Sequence, residues 1–206
     1  MLALMFALTL AVTTPALDAF ASAWAAIGAY RATLLIHETS GTSVEDRTYA
    51  YTFAKPTSAT IAIVRGPGRG GHIAWNGGDG VTGSAGGFLS AIKLHLPIND
   101  RRVTTLRGDT VVMASFGWLL DHFRTTPGTF DQKPGHAPTD PTQLTLSVSD
   151  ADADGGITRE VVSFSPETKL PVRVERYIGS ALVKDVRYSD VVVTSPATVA
   201  PAPTRL

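Results

Sequence analysis

The stretch Leu17-Asp-Ala-Phe-Ala-Ser-Ala-Trp-Ala-Ala-Ile-Gly-Ala-Tyr-Arg-Ala-Thr-Leu-Leu-Ile-His-Glu-Thr-Ser40 contains the change of period that decides the fold. In its first half Leu17, Phe20, Trp24 and Ile27 recur at i, i+3, i+7 and i+10, one apolar stripe on a helix of about three turns. Asp18 complements the positive end of the helix dipole, and Gly28 is a natural stop. From Tyr30 the period becomes two. Tyr30, Ala32, Leu34 and Ile36 alternate with Arg31, Thr33, Leu35 and His37, which predicts a strand ending before Ser40-Gly41.

Outward from this stretch the chain continues as strands. Tyr49, Tyr51 and Phe53 alternate with Thr48, Ala50 and Thr52 until Lys55-Pro56 breaks the run. Thr60 to Arg65 is β-rich, and Gly66-Pro67-Gly68-Arg69-Gly70-Gly71 turns the chain into His72 to Asn76, after which Gly77-Gly78 begins another turn. Ser115 to Thr126, with Phe116, Leu119, Leu120 and Phe123 on one face, predicts a short second helix stopped by Pro127-Gly128. A loop with Pro134, Pro138 and Pro141 leads to strands at Gln143 to Ser149 and Thr158 to Ser165. Pro171 to Tyr177 and Leu182 to Tyr188 flank Ile178-Gly179-Ser180-Ala181 as a hairpin, and Asp190 to Val193 closes the domain. The fold class is α+β: one antiparallel sheet of seven or more strands, with a helix at its N-terminus and a short one in mid-chain. No repeat of 20 to 50 residues is apparent.

Composition excludes several chemistries. The 206 residues carry 18 Lys plus Arg against 18 Asp plus Glu, so no basic face is available to release counterions from nucleic acid. With no cysteine there is no disulfide, thiolate metal site, thiol nucleophile or acylated anchor. Met1 to Val12 is an apolar run too short for a span of roughly 20 residues. It fits a secretory leader cut after Ala16, with Ala21 and Ala23 as alternative sites and a buried N-terminal helix as the alternative reading. The chain then divides into a leader at 1–16, a domain at 17–193 and a Pro-rich disordered tail at 194–206.

Candidate sites are sparse. Asp150-Ala151-Asp152-Ala153-Asp154-Gly155 matches the first half of a calcium loop, but Val161 stands where the bidentate Glu belongs, so an acidic turn is favoured. The Gly66–Gly71 run lacks the Lys-Ser/Thr of a phosphate loop. His37, His72, His95, His122 and His136 show no metal-ligand spacing, and Ser84 lacks a nucleophile elbow. These readings predict no catalytic residue, no metal and no cofactor. An enzyme would need a cleft uniting His37, His72 or His95 with carboxylates.

The order of elements carries a resemblance. The N-terminal amphipathic helix, the strand ending near Gly41, the basic-Pro pair Lys55-Pro56, and Ile73-Ala74-Trp75-Asn76-Gly77 resemble the LolA-like superfamily of periplasmic lipoprotein carriers and sensors. Leu170-Pro171-Val172-Arg173-Val174-Glu175 and Tyr188-Ser189-Asp190-Val191 are similar to its last strands. The resemblance implies a curved half-barrel closed by a helical lid and holding acyl chains in an apolar cavity. On that basis Trp24, Tyr49, Tyr51, Phe53, Trp75, Phe116 and Trp118 are expected to line the space. Lys55 stands where the dedicated carrier has a lid-latching arginine, and a lysine offers a point charge without the planar fork. The implied protein is periplasmic or secreted, soluble and monomeric, with lipid or lipoprotein acyl chains as ligand. A cell-envelope interaction or sensor module with a protein partner and no lipid cargo is the alternative.

Overall fold

The structure, a computed structural model, describes residues 14–87 and 91–195. The apolar run Met1–Val12 and the tail from 196 onward lie outside the described residues. Helix α1, Pro15–Ala25, opens the domain with Pro at its first turn, where a missing N–H costs nothing. Its first two residues belong to the segment expected before the cut, and Ala16 N–H donates to Gln132 Oε1 at 3.0 Å.

Eleven strands are present among the described residues. They are β1 Ala29–Ser40, β2 Ser43–Ala54, β3 Ser58–Arg65, β4 His72–Trp75, β5 Gly80–Ser84, β6 Lys93–Pro97, β7 Gly128–Lys133, β8 Thr142–Val148, β9 Arg159–Phe164, β10 Pro171–Ile178 and β11 Ala181–Thr194. A 3-10 turn, Val111–Ala114, runs into helix α2, Phe116–Thr125. All strands join one antiparallel sheet in the order β6-β5-β4-β3-β2-β1-β11-β10-β9-β8-β7, open at both edges. The first strand therefore lies beside the last at the centre, from Ala29 opposite Thr194 to Glu38 opposite Lys184.

Three strands, β5, β6 and β7, were not expected from the sequence. Gly80-Val81-Thr82-Gly83-Ser84 and Gly128-Thr129-Phe130-Asp131-Gln132-Lys133 each offer one large apolar side chain, and β6 ends on a proline. All three lie at the rims, where little is buried and alternation has little to report. Conversely, the separate segments Leu182–Tyr188 and Asp190–Val193 are one strand. A register shift opposite Arg31/Thr33 bends β11, with Asp190 at φ 53, as a bulge does.

The alternation places Tyr30, Leu34 and Ile36 of β1 and Tyr49, Tyr51 and Phe53 of β2 inward, all buried. They meet Phe20 of α1 and Phe116, Leu119 and Phe123 of α2 in one core. Phe116 stacks on Tyr30 with centroids 4.4 Å apart and planes at 10°. Three sheet tyrosines also fix the mid-chain segment. Tyr51 OH donates to Val111 O at 3.3 Å, Tyr188 OH to Ala114 O at 3.4 Å, and Tyr30 OH accepts from Phe116 N–H at 3.1 Å. Burial raises all three phenol pKa values above the ordinary range, so they remain neutral. The two helices meet at Gly117, where a Cβ would stand 3.0 Å from Trp24 Cζ2.

Leu34 is fully buried, while its neighbour Leu35 faces outward at 45% exposure. Leu34→Ala is expected to lower the unfolding free energy by about 2–5 kcal/mol. Leu35→Ala should change it by less than about 0.5 kcal/mol, both read from urea denaturation.

Candidate functional site

Between the concave face of the sheet and the mid-chain segment lies a partly enclosed cavity of about 110 Å³. Its walls are Ile36, Ile61, Ile63 and Ile73 from the sheet, Val103 and Val111 from the roof above and Leu119 from α2, with Asp109, Arg176 and Lys184 closing one side. A second, more open groove of about 330 Å³ shares Ile63, Gly68, Ile73, Arg102 and Val103 with it and reaches Leu94 and Leu96 of β6. Apolar surface thus runs from the enclosed space to the β5–β6 rim.

The roof, residues 98–115, contains turns and one short 3-10 helix. Polar groups hold much of it down. Thr105 Oγ1 donates to Glu38 Oε1 at 2.9 Å, and Arg107 Nη1 donates to Thr39 O at 2.9 Å. Asp109 of the roof pairs with Lys184 of β11 and lies 3.6 Å from Arg176 Nη1 of β10. Lys184 also donates to Glu38 at 2.5 Å, and Arg176 Nε to Glu160 Oε2 of β9 at 2.7 Å. Glu160 Oε1 meets His122 Nε2 of α2. One chain of ion pairs therefore ties roof, second helix and four strands together beside the cavity.

Each member sits where its strand turns inward. Glu38 continues the Leu34–Ile36 face, Lys184 shares a face with Val186, Arg176 with Val174, and Glu160 with Val162. Glu38 and Glu160 are essentially inaccessible, at 1% and 0% exposure. Burial opposes ionisation of Asp109, but Lys184 and Arg176 outweigh it and hold the carboxyl below the usual range. The same holds for Glu160, where burial is overcome by His122 and Arg176. Asp154 goes the other way. Burial, reinforced by Glu160, raises its carboxyl above the usual value. His122 is fixed by Trp118, stacked on it at 4.6 Å and 11°, and by Thr126 Oγ1 3.2 Å from its Nδ1.

Of the aromatic residues singled out in the sequence, Tyr49 and Trp118 line the cavity. Tyr51, Phe53 and Phe116 lie in the packed core. Trp24 is half-buried with its ring 5.6 Å from Phe53, and Trp75 Nε1 donates to Gly78 O at 2.9 Å. Lys55 reaches across to α1, where its Nζ donates to Trp24 O at 2.6 Å and stands 4.1 Å from the indole centroid. Burial lowers its pKa. The three histidines weighed for an enzyme lie apart from the cavity. His37 pairs with Asp46 at 2.8 Å on the outer face, His95 Nδ1 lies 3.2 Å from Thr82 Oγ1, and His72 is exposed on β4.

The residues that sequence reasoning missed are Glu38, Asp109, His122, Glu160, Arg176 and Lys184. A usable signal existed in the strands: a charged residue in phase with an inward apolar row must find a partner. The three loop aspartates do not converge either. Asp150 Oδ1 accepts from Ala153 N–H at 3.2 Å, and Asp154 approaches His122 and Glu160 instead.

No protein-family model matches the chain, and no curated protein sequence is similar to it. Solved structures are similar in fold. MucB is 10% identical with a TM-score of 0.51, covering 91% of this chain and 62% of its own. A LolA superfamily protein from Nitrosomonas europaea is 10% identical with a TM-score of 0.40, covering 89% and 95%. Lipoprotein LppX from Mycobacterium tuberculosis is 13% identical with a TM-score of 0.43, covering 91% and 99%. The chain has a LolA-like fold.

Removing the roof's anchor tests its weight. Asp109→Asn is expected to cost about 3 kcal/mol at pH 7, because it leaves two buried cations short of a partner. The folded pKa of Asp109 lies below its unfolded value, so this contribution is present above about pH 4 and is lost as pH falls through the folded value. Urea unfolding of both proteins at neutral and acid pH should show the difference shrink on acidification.

Proposed function

We propose that the protein is an exported, non-enzymatic LolA-like carrier or sensor that binds acyl chains of lipid or lipoprotein on its concave face. The observation that supports this reading is a partly enclosed, mostly apolar cavity continued by an apolar groove under a roof held by polar contacts. A greasy chain needs no polar recognition there. At about 0.8 kcal/mol per buried methylene, a chain of around 14 carbons gains roughly 11 kcal/mol gross.

The enclosed part is smaller than an engineered cavity of about 150 Å³ that takes up benzene. A long chain therefore lies along the groove from the β5–β6 rim and enters the cavity as the roof lifts. Lifting replaces protein ion pairs and hydrogen bonds with water contacts, a smaller change than opening a packed apolar seam. Lys55 holds the C-terminal end of α1, and with it Trp24, against the sheet. In this reading the aromatic set forms the floor and lid hinge, with Tyr49 and Trp118 touching the ligand. The leader at 1–16 takes the chain out of the cytoplasm, and no helix among the described residues is long and apolar enough to cross a membrane.

A protein partner in the envelope is the second reading, favoured by the unpaired edge of β6 with Ile92 and Leu94 exposed at 54% and 45%. Delipidated protein incubated with a labelled fatty acid or triacylated peptide should retain it. Val103→Trp, which fills the space between cavity and groove, is expected to weaken retention at least tenfold when compared below the variant's own, lower thermal midpoint. No retention at micromolar concentrations counts against the carrier, and recovery of one stoichiometric membrane protein by pulldown then supports the partner.

A further inference from the structure

One group of side chains has no place in acyl-chain binding. His122 of α2, Glu160 of β9 and Asp154 of the loop between β8 and β9 each present one donor atom, and the three atoms lie within 4.8 Å of one another. Asp154 Oδ2 is sealed from solvent and has no hydrogen-bond partner. We propose that these three residues form a binding site for a divalent transition-metal ion of the zinc type, stapling α2 to the sheet.

The donor set is appropriate. One imidazole nitrogen with two carboxylate oxygens suits zinc and its neighbours, whereas calcium and magnesium favour all-oxygen cages. Zinc takes such donors at roughly 2.0–2.2 Å in a tetrahedron with water in the fourth position, so on binding the ion separates His122 Nε2 from Glu160 Oε1, which touch directly without it, and draws the Asp154 carboxyl toward them. The supports of a metal site are in place around them. Arg176 takes the other oxygen of Glu160 at 2.7 Å, which leaves Oε1 facing His122. Trp118 and Thr126 Oγ1 fix the imidazole plane and engage Nδ1, leaving Nε2 toward the site. The Asp154 backbone is pinned at both faces, its N–H donating to Ala151 O at 3.1 Å and its carbonyl accepting from Ile157 N–H at 3.2 Å.

Charge counting leads to the same place. With Asp154 ionised and His122 neutral, as metal ligands must be, Glu38, Asp109, Asp154 and Glu160 are four carboxylates facing two cations of the network, Lys184 and Arg176. Arg107 hydrogen-bonds the carbonyls of Thr39 and Gly155. A divalent ion between Asp154, Glu160 and His122 balances the count. It would also cross-link three elements that otherwise meet through side-chain packing and single ion pairs.

The test uses full-length, untagged protein stripped with chelator and desalted. Zinc titration by calorimetry, with metal content measured after a second desalting, is expected to give one ion per chain and a thermal midpoint that climbs with zinc concentration. Cobalt is expected to give the visible bands of a four-coordinate nitrogen and oxygen site. Asp154→Ala, a change in a half-exposed loop that leaves the apo midpoint and far-UV spectrum in place, should weaken zinc by more than the 10–100-fold typical of an outer-shell loss. His122→Gln should do the same and abolish the cobalt bands. Asp150→Ala and Asp152→Ala should leave the affinity unchanged. Zinc that is not retained, or whose affinity survives Asp154→Ala, or that is lost with Asp150→Ala instead, overturns the proposal. None of these readouts depends on whether acyl chains bind.

Discussion

The pairing of the first strand with the last is the constraint on which the rest depends. β1 and β11 run antiparallel at the centre of the sheet, and their register decides which side chains face the concave side. That register sets Glu38 directly opposite Lys184, two charges separated by 146 positions in the chain. A slip of β1 by one residue would turn Glu38 outward, away from Lys184, and expose Leu34 and Ile36. The central pair therefore fixes the apolar floor of the cavity and the first link of the ionic chain beside it.

That ionic chain is costly to build, since each buried charge gives up its hydration. Apolar residues of similar volume would make the domain no less stable. What the ions supply is a different kind of attachment. A roof packed by interdigitated side chains opens only by creating a void, whereas a roof held by paired charges opens by exchanging partners with water. The tyrosine hydrogen bonds at Val111, Ala114 and Phe116 hold the other end of the same segment, so its two attachments are chemically distinct.

The centre of the fold was legible because burial there is one-sided and alternation is clean: Tyr30 to Ile36 and Tyr49 to Phe53 read directly as inward rows. The rim strands were not. Gly80–Ser84 and Gly128–Lys133 bury so little that their pattern carries almost no amplitude, and they exist because a neighbour offers an edge to pair with. The site was legible only in part. Tyr49 and Trp118 were reached through the aromatic pattern, and Lys55 through the basic-Pro pair. The charged cluster was missed because its members lie on six separate elements. Asp154 is instructive here. Its local motif suggested partners two and four residues earlier, whereas the fold gave it His122 and Glu160.

A sheet that begins and ends at its own middle grows outward as two arms. One arm, β2 to β6, is built by the chain leaving the centre, and the other, β10 back to β7, by the chain approaching it. Gly28 N–H donates to Thr194 O at 2.8 Å, so the sheet's first strand starts and its last strand ends at a single point on the scaffold. Strands can be gained or shed at either outer margin without altering that point. The outer arms set the width of the trough, while the inner pair preserves its chemistry, and the two can vary independently.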